Sequence, residues 1–119
     1  MSATAFNMGA GEKLKLTETL KEANSYAWGG TSVTTSAKHK YVLGVINYQQ
    51  RNNDTRNQGV SVSFSAGEEV LSNQSLESGS TTEMARISLF RNVPAGTKIS
   101  FERSWAYANT QYLQVYCFD

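Results

Sequence analysis

The sequence predicts an all-β fold, a single-domain antiparallel β-sandwich or jelly roll of about eight strands, and three observations predict it. Segments of about five to nine residues alternate apolar and polar positions with period two, and no long stretch carries helical periodicity. Glycine, asparagine, serine and the lone proline fall between those segments, where turns belong. Ser, Thr, Asn and Gln make up about a third of the 119 residues while charged residues are only 18%, a balance suited to strands with hydroxyl-bearing outer faces.

Residues 1–12, with Gly9 and Gly11 among small residues, read as a flexible N-terminal arm ahead of a domain spanning 13–119. "KLKLTETLKEA" is read as a strand over 13–20, although Leu16, Leu20 and Ala23 also fit one helical face. Gly29 and Gly30 form a hinge before a short β-branched strand over 31–36. In "KYVLGVINYQ", Tyr41, Leu43 and Val45 point one way and Val42, Ile46 and Tyr48 the other, so both faces are apolar and the strand is central. Residues 50–59 form a polar loop, after which "VSVSFSA" sets Val60, Val62, Phe64 and Ala66 against serines. A weak strand at 69–72 leads to a turn at Ser72 and Asn73 and a serine-rich loop through Gly79. "ARISLF" is expected to bury Ala85, Ile87 and Leu89. Pro94 takes the second position of a β-turn, with Gly96 relieving the chain before the next strand. "KISFERSWA" puts Ile99, Phe101, Arg103 and Trp105 on one face. "NTQ" at 109–111 makes a hairpin turn, and "YLQVYCF" places Leu113, Val115 and Cys117 in the core.

The inventory argues against catalysis. Eleven basic and ten acidic residues are scattered to a net charge of +1, which leaves no nucleic-acid footprint. No run approaches the length of a membrane span or a signal peptide, so the chain is expected to be made in a cytoplasm with no membrane insertion. His39, the only histidine, sits between two lysines and is read as a solvated residue at a strand's edge. Cys117, the only cysteine, is read as an inert buried thiol. With one Cys, one His and two Asp, no metal cage, no catalytic residues and no cofactor are expected.

Two aromatic features remain. "NSYAW" and "WAYAN" combine Asn24, Tyr26 and Trp28 in one segment and Trp105, Tyr107 and Asn109 in the other, groups that stack on sugar rings and hydrogen-bond their hydroxyls, or that cap a core. On the last strand Tyr112, Gln114, Tyr116 and Phe118 lie opposite the core face. Three aromatics on one outer face are expected to be covered, each burial contributing roughly 1.5–3 kcal/mol. Phe6 and Met8 of the arm are a reciprocal element.

The small-residue arm, the alternating Ser/Thr-rich strands, the central "KYVLGVINY", the "VPAGTKIS" turn and strand, and the final strand together resemble the small β-sandwich proteins of tailed-phage virions, namely capsid decoration proteins, head or tail fibres and receptor-binding tips. The resemblance implies a non-enzymatic virion part, trimeric or attached to a lattice, that assembles with itself and with other virion proteins. The alternative reading is a carbohydrate-binding module that recognises a host-surface glycan.

Overall fold

The computed structural model describes residues 13–24, 31–50, 60–77, 83–103 and 108–119. Among these the chain forms eight strands: β1 (Leu16–Asn24), β2 (Thr31–Thr34), β3 (His39–Gln50), β4 (Val60–Phe64), β5 (Glu68–Glu77), β6 (Glu83–Val93), β7 (Lys98–Arg103) and β8 (Ala108–Phe118). They build two antiparallel sheets, a five-stranded one ordered β1-β8-β3-β6-β5 and a three-stranded one ordered β2-β7-β4. The fold is all-β, a β-sandwich as its composition and alternation predict.

The pairing follows a rule. β1 pairs with β8, β2 with β7 and β3 with β6, the nested pattern of a long antiparallel ribbon rolled into two sheets, which is a jelly roll. One strand departs from it, because β5 pairs with β6 rather than β4 and thereby widens the first sheet to five strands.

The core lies between the sheets. Val42, Ile46 and Tyr48 of β3, Val93 of β6 and Leu113, Val115 and Cys117 of β8 meet Val62 of β4 and Ile99 and Phe101 of β7. Ring contacts cross the same gap, Phe64 stacking on Phe90 at 4.1 Å and Tyr48 lying 5.9 Å from Phe101. Gly44 makes the close approach feasible, since a Cβ there would stand 2.9 Å from Val62 Cγ1. The apolar faces expected of β3 are both present, and β3 is the middle strand of the larger sheet.

Several sequence expectations are corrected. Ala85, Ile87 and Leu89 pair with Asn47, Val45 and Leu43, and directly paired residues share a face, so they lie on the outer side of the sheet and are only partly buried. Ser88 takes the inner position, fully buried, and stays there because its hydroxyl donates to the Val62 carbonyl at 3.2 Å. The turn placed at Ser72 and Asn73 is instead continuous strand with register irregularities between Glu69 and Gln74; of the loop predicted through Gly79, residues up to Glu77 are strand and the rest lies outside the described residues. Residues 109–111 are also strand, Gln111 pairing with Tyr48 and Asn24, since β8 needs that length to match β3. β1 runs to Asn24 rather than ending at 20.

The turn after β6 is centred on Ala95 and Gly96, the latter at φ +79°, so Pro94 stands one place earlier than expected. Its carbonyl accepts from Thr35 Oγ1 at 2.9 Å and Thr97 Oγ1 at 2.7 Å. Asn92, at φ 51°, redirects the end of β6 so that Val93 turns into the core. Gln50, placed in the loop over 50–59, is the last residue of β3; the rest of that loop, the arm at 1–12 and the Gly29–Gly30 hinge lie outside the described residues.

Candidate functional site: an outer sheet face and a buried histidine

Two features of the five-stranded sheet bear on function. The first is its outer face. From the registers, successive rows across β1, β8, β3, β6 and β5 read Leu16, Phe118, Tyr41, Arg91, Glu68; then Thr19, Tyr116, Leu43, Leu89, Leu71; then Lys21, Gln114, Val45, Ile87, Gln74. Ala23, Tyr112, Asn47 and Ala85 follow in a fourth row. Tyr112 is 53% exposed, Leu16 55% and Leu71 44%, while the central side chains are partly exposed. Among the described side chains of this face, charge is confined to the margins, with Lys21 on β1 and an Arg91–Glu68 contact of 3.6 Å at the β5 corner. An apolar patch rimmed by polar groups is the anatomy of an interaction surface.

Of the residues singled out for assembly, Tyr112, Gln114, Tyr116 and Phe118 share this face, and β3 and β6 extend it well beyond them. Phe6 and Met8 lie outside the described residues, as do Tyr26, Trp28, Trp105 and Tyr107. Asn24 and Asn109 fall within strands, at the last position of β1 and near the first of β8. Those strands are antiparallel neighbours with Asn24 opposite Gln111, so the chain leaves β1 for "NSYAW" and enters β8 from "WAYAN" at one end of the sheet.

The second feature corrects the reading of His39 as a solvated residue. It is 3% exposed, with Nε2 2.7 Å from Glu18 Oε1 and Nδ1 2.8 Å from Asp119 Oδ2. Each carboxylate is held in turn. Ser36 Oγ donates to Glu18 Oε2, Thr17 Oγ1 donates to Asp119 Oδ2 at 2.7 Å, and the Lys40 amide donates to Asp119 Oδ1 at 2.9 Å. A register shift between Leu16 and Glu18 assembles this group. The extra residue, Thr17, lets Leu16 face outward with Phe118 while Glu18 faces inward with Cys117.

Burial pulls the His39 pKa down, but the hydrogen bonds and charges of Asp119 and Glu18 outweigh it and the net shift is upward. The Ser36 hydrogen bond leads in holding Glu18 below its usual value, against the upward pull of burial. Asp119 is raised by burial but lowered on balance by His39, Thr17 and Lys40. With a carboxylate oxygen 2.8 Å from Nδ1 and 2.7 Å from Nε2, the geometry fits an imidazolium that donates from both ring nitrogens.

Glu18, His39 and Cys117 offer donor atoms within 4.8 Å of one another, a convergence that residue counting alone did not foresee. The geometry belongs to a proton rather than a metal. Ligands of a tetrahedral zinc, at roughly 2.0–2.2 Å from the ion, hold their N and O atoms about 3.3 Å apart, whereas Glu18 and His39 are in direct contact at 2.7 Å. The Cys117 thiol is pushed up to about 12, mainly by burial and then by the two carboxylate charges, so it stays protonated and no thiolate and imidazole pair forms.

Compared with protein-family models, curated proteins and solved structures, the chain matches none. Among the described residues no helix is long and apolar enough to cross a membrane.

Proposed function

We propose that the protein is a non-enzymatic structural part of a virion, which holds its place by burying the outer face of its five-stranded sheet against another polypeptide. The observation that carries this reading is the breadth of that face, with apolar side chains from β8, β3, β6 and β5 side by side. The N-terminal arm, with Phe6 and Met8, adds a second contact. The jelly-roll strand order supports the reading by analogy, since viral capsid domains use it.

The test is hydroxyl-radical footprinting of the isolated chain, diluted until it sediments as a monomer, and of the purified particle. Tyr41, Tyr112, Tyr116 and Phe118 are expected to be oxidised in the isolated chain and protected in the particle. Equal oxidation in both, or absence of the chain from the particle, removes the reading.

A second reading, attachment to a host-surface glycan, is favoured by one observation: β1 ends and β8 begins at the same end of the sheet, so both Trp/Tyr/Asn segments join the fold there. Glycan-array binding that is lost in Trp105→Ala with the thermal midpoint retained supports it, and silence of the wild-type chain on the array dismisses it.

A further inference from the structure

We infer that the polypeptide covering the outer face is a second copy of this chain, packed sheet to sheet about a two-fold axis that lies in the interface. The inference rests on the assembly reading and adds the identity of the partner.

Symmetry supplies the first argument. In a two-fold contact the residues beside the axis meet their own kind, so a charge at the centre would face a like charge and oppose pairing. The centre of this face is neutral: Leu43 and Val45 on the middle strand β3, flanked by Tyr116 and Gln114 on β8 and by Leu89 and Ile87 on β6. Among the described side chains its charges stand away from that centre, Lys21 on the β1 edge and the Arg91–Glu68 contact at the β5 corner. An axis parallel to the strands lays the β1 edge of each copy over the β5 edge of the other, row upon row, so that Lys21 lies over Gln74, Glu68 over Leu16 and Arg91 over Phe118, and no like charges meet.

Area supplies the second. Five strands about 4.8 Å apart, each with four outward residues repeating every 6.7 Å or so, make a face of roughly 650 Å². Two such faces bury about 1,300 Å², within the range of roughly 1,200–2,000 Å² that specific stable interfaces occupy. The contact also repeats one the molecule already makes, since aligned sheets stack about 10 Å apart with their side chains interleaved.

Sedimentation equilibrium of the full chain between about 1 and 200 µM tests it. The expected result is a reversible monomer–dimer equilibrium. Val45→Asp and Val45→Lys, each at a partly exposed site beside the axis, are expected to weaken self-association at least about 100-fold with unchanged far-UV dichroism, and an equimolar mixture of the two is expected to associate again. Ile87→Lys provides an independent disruption should either Val45 variant fold poorly. A wild-type chain that stays monomeric throughout, a trimer, or variants that dimerise like wild type overturns the inference. So does a mixture that stays monomeric. A monomer whose outer tyrosines are nonetheless protected in the particle overturns this inference alone and leaves the assembly reading standing, with a different protein as the cover.

Discussion

His39 is held by a carboxylate on each ring nitrogen, and that arrangement ties stability to pH in a definite direction. Its pKa is raised on folding, so its contribution is complete below the unfolded value of about 6.5 and is lost as pH rises through the folded one. Glu18 and Asp119 are lowered, so theirs is present above their unfolded values, about 4 to 4.5, and is lost as pH falls through the folded ones. The thermal midpoint is therefore expected to rise from pH 3 to about 5, hold to about 6.5 and decline above it. His39→Gln flattens the alkaline decline and destabilises by about 3 kcal/mol, the low end for a broken buried pair because both carboxylates keep some solvent contact. A midpoint that is flat between pH 5 and 9 in the wild type would exclude the clamped imidazolium. Cys117 gives a second expectation. With its thiol pushed up to about 12 and fully buried, it resists iodoacetamide at pH 8 in the folded protein and reacts in denaturant. Rapid native labelling, followed by mass spectrometry, would contradict this placement.

At the scale of elements, β3 depends on what Gly44 lacks. A methyl group there would press on Val62, Phe64 and Ile99 at 2.9–3.5 Å, so Gly44→Ala is expected to cost about 1–3 kcal/mol by overpacking. The ordinary gain of alanine over glycine in a strand is smaller. Val62→Ala in the same chain returns part of that loss, a coupling that urea titration of the double-mutant cycle measures. The join of β2 to the turn after β6 is polar instead: Thr35 Oγ1 donates to the Pro94 carbonyl and accepts from the Thr97 amide, each at 2.9 Å. Thr35→Val leaves that buried amide without its acceptor, at about 1–3 kcal/mol by the same titration. These elements also mark what was legible in the sequence. β3, β7 and the core half of β8 declared themselves because their inward residues are apolar and evenly spaced. β6 was read in the wrong phase, since its inward Ser88 is satisfied by a carbonyl of the opposite sheet while its apolar residues face out. β5 was cut short because its irregular register breaks the alternation. The His39 cluster had no local signal at all, as its partners lie 21 and 80 positions away in the chain and depend on a bulge at Thr17.

At the scale of the whole molecule, the jelly roll turns one face of its larger sheet inward and leaves the other with apolar side chains in every row. Moving β5 from β4 to β6 enlarges that face, because it adds Leu71 and Gln74 to rows that would otherwise end at Leu89 and Ile87. Association through such a surface carries a thermodynamic signature set by its chemistry. Burial of apolar area gives a negative heat-capacity change and an entropic drive near room temperature, so the association constant of the wild-type chain rises on warming from about 5 to 25 °C. With charge limited to Lys21 at one edge and the Glu68–Arg91 contact at the other, raising salt from 50 to 500 mM changes that constant by no more than about threefold, because rim charges add little affinity and are readily screened. Sedimentation across both series checks the pair of trends together. Weakening on warming combined with a steep loss in salt would mean that polar or charged groups hold the complex, and the outer face of the sheet would then not be the surface that joins it.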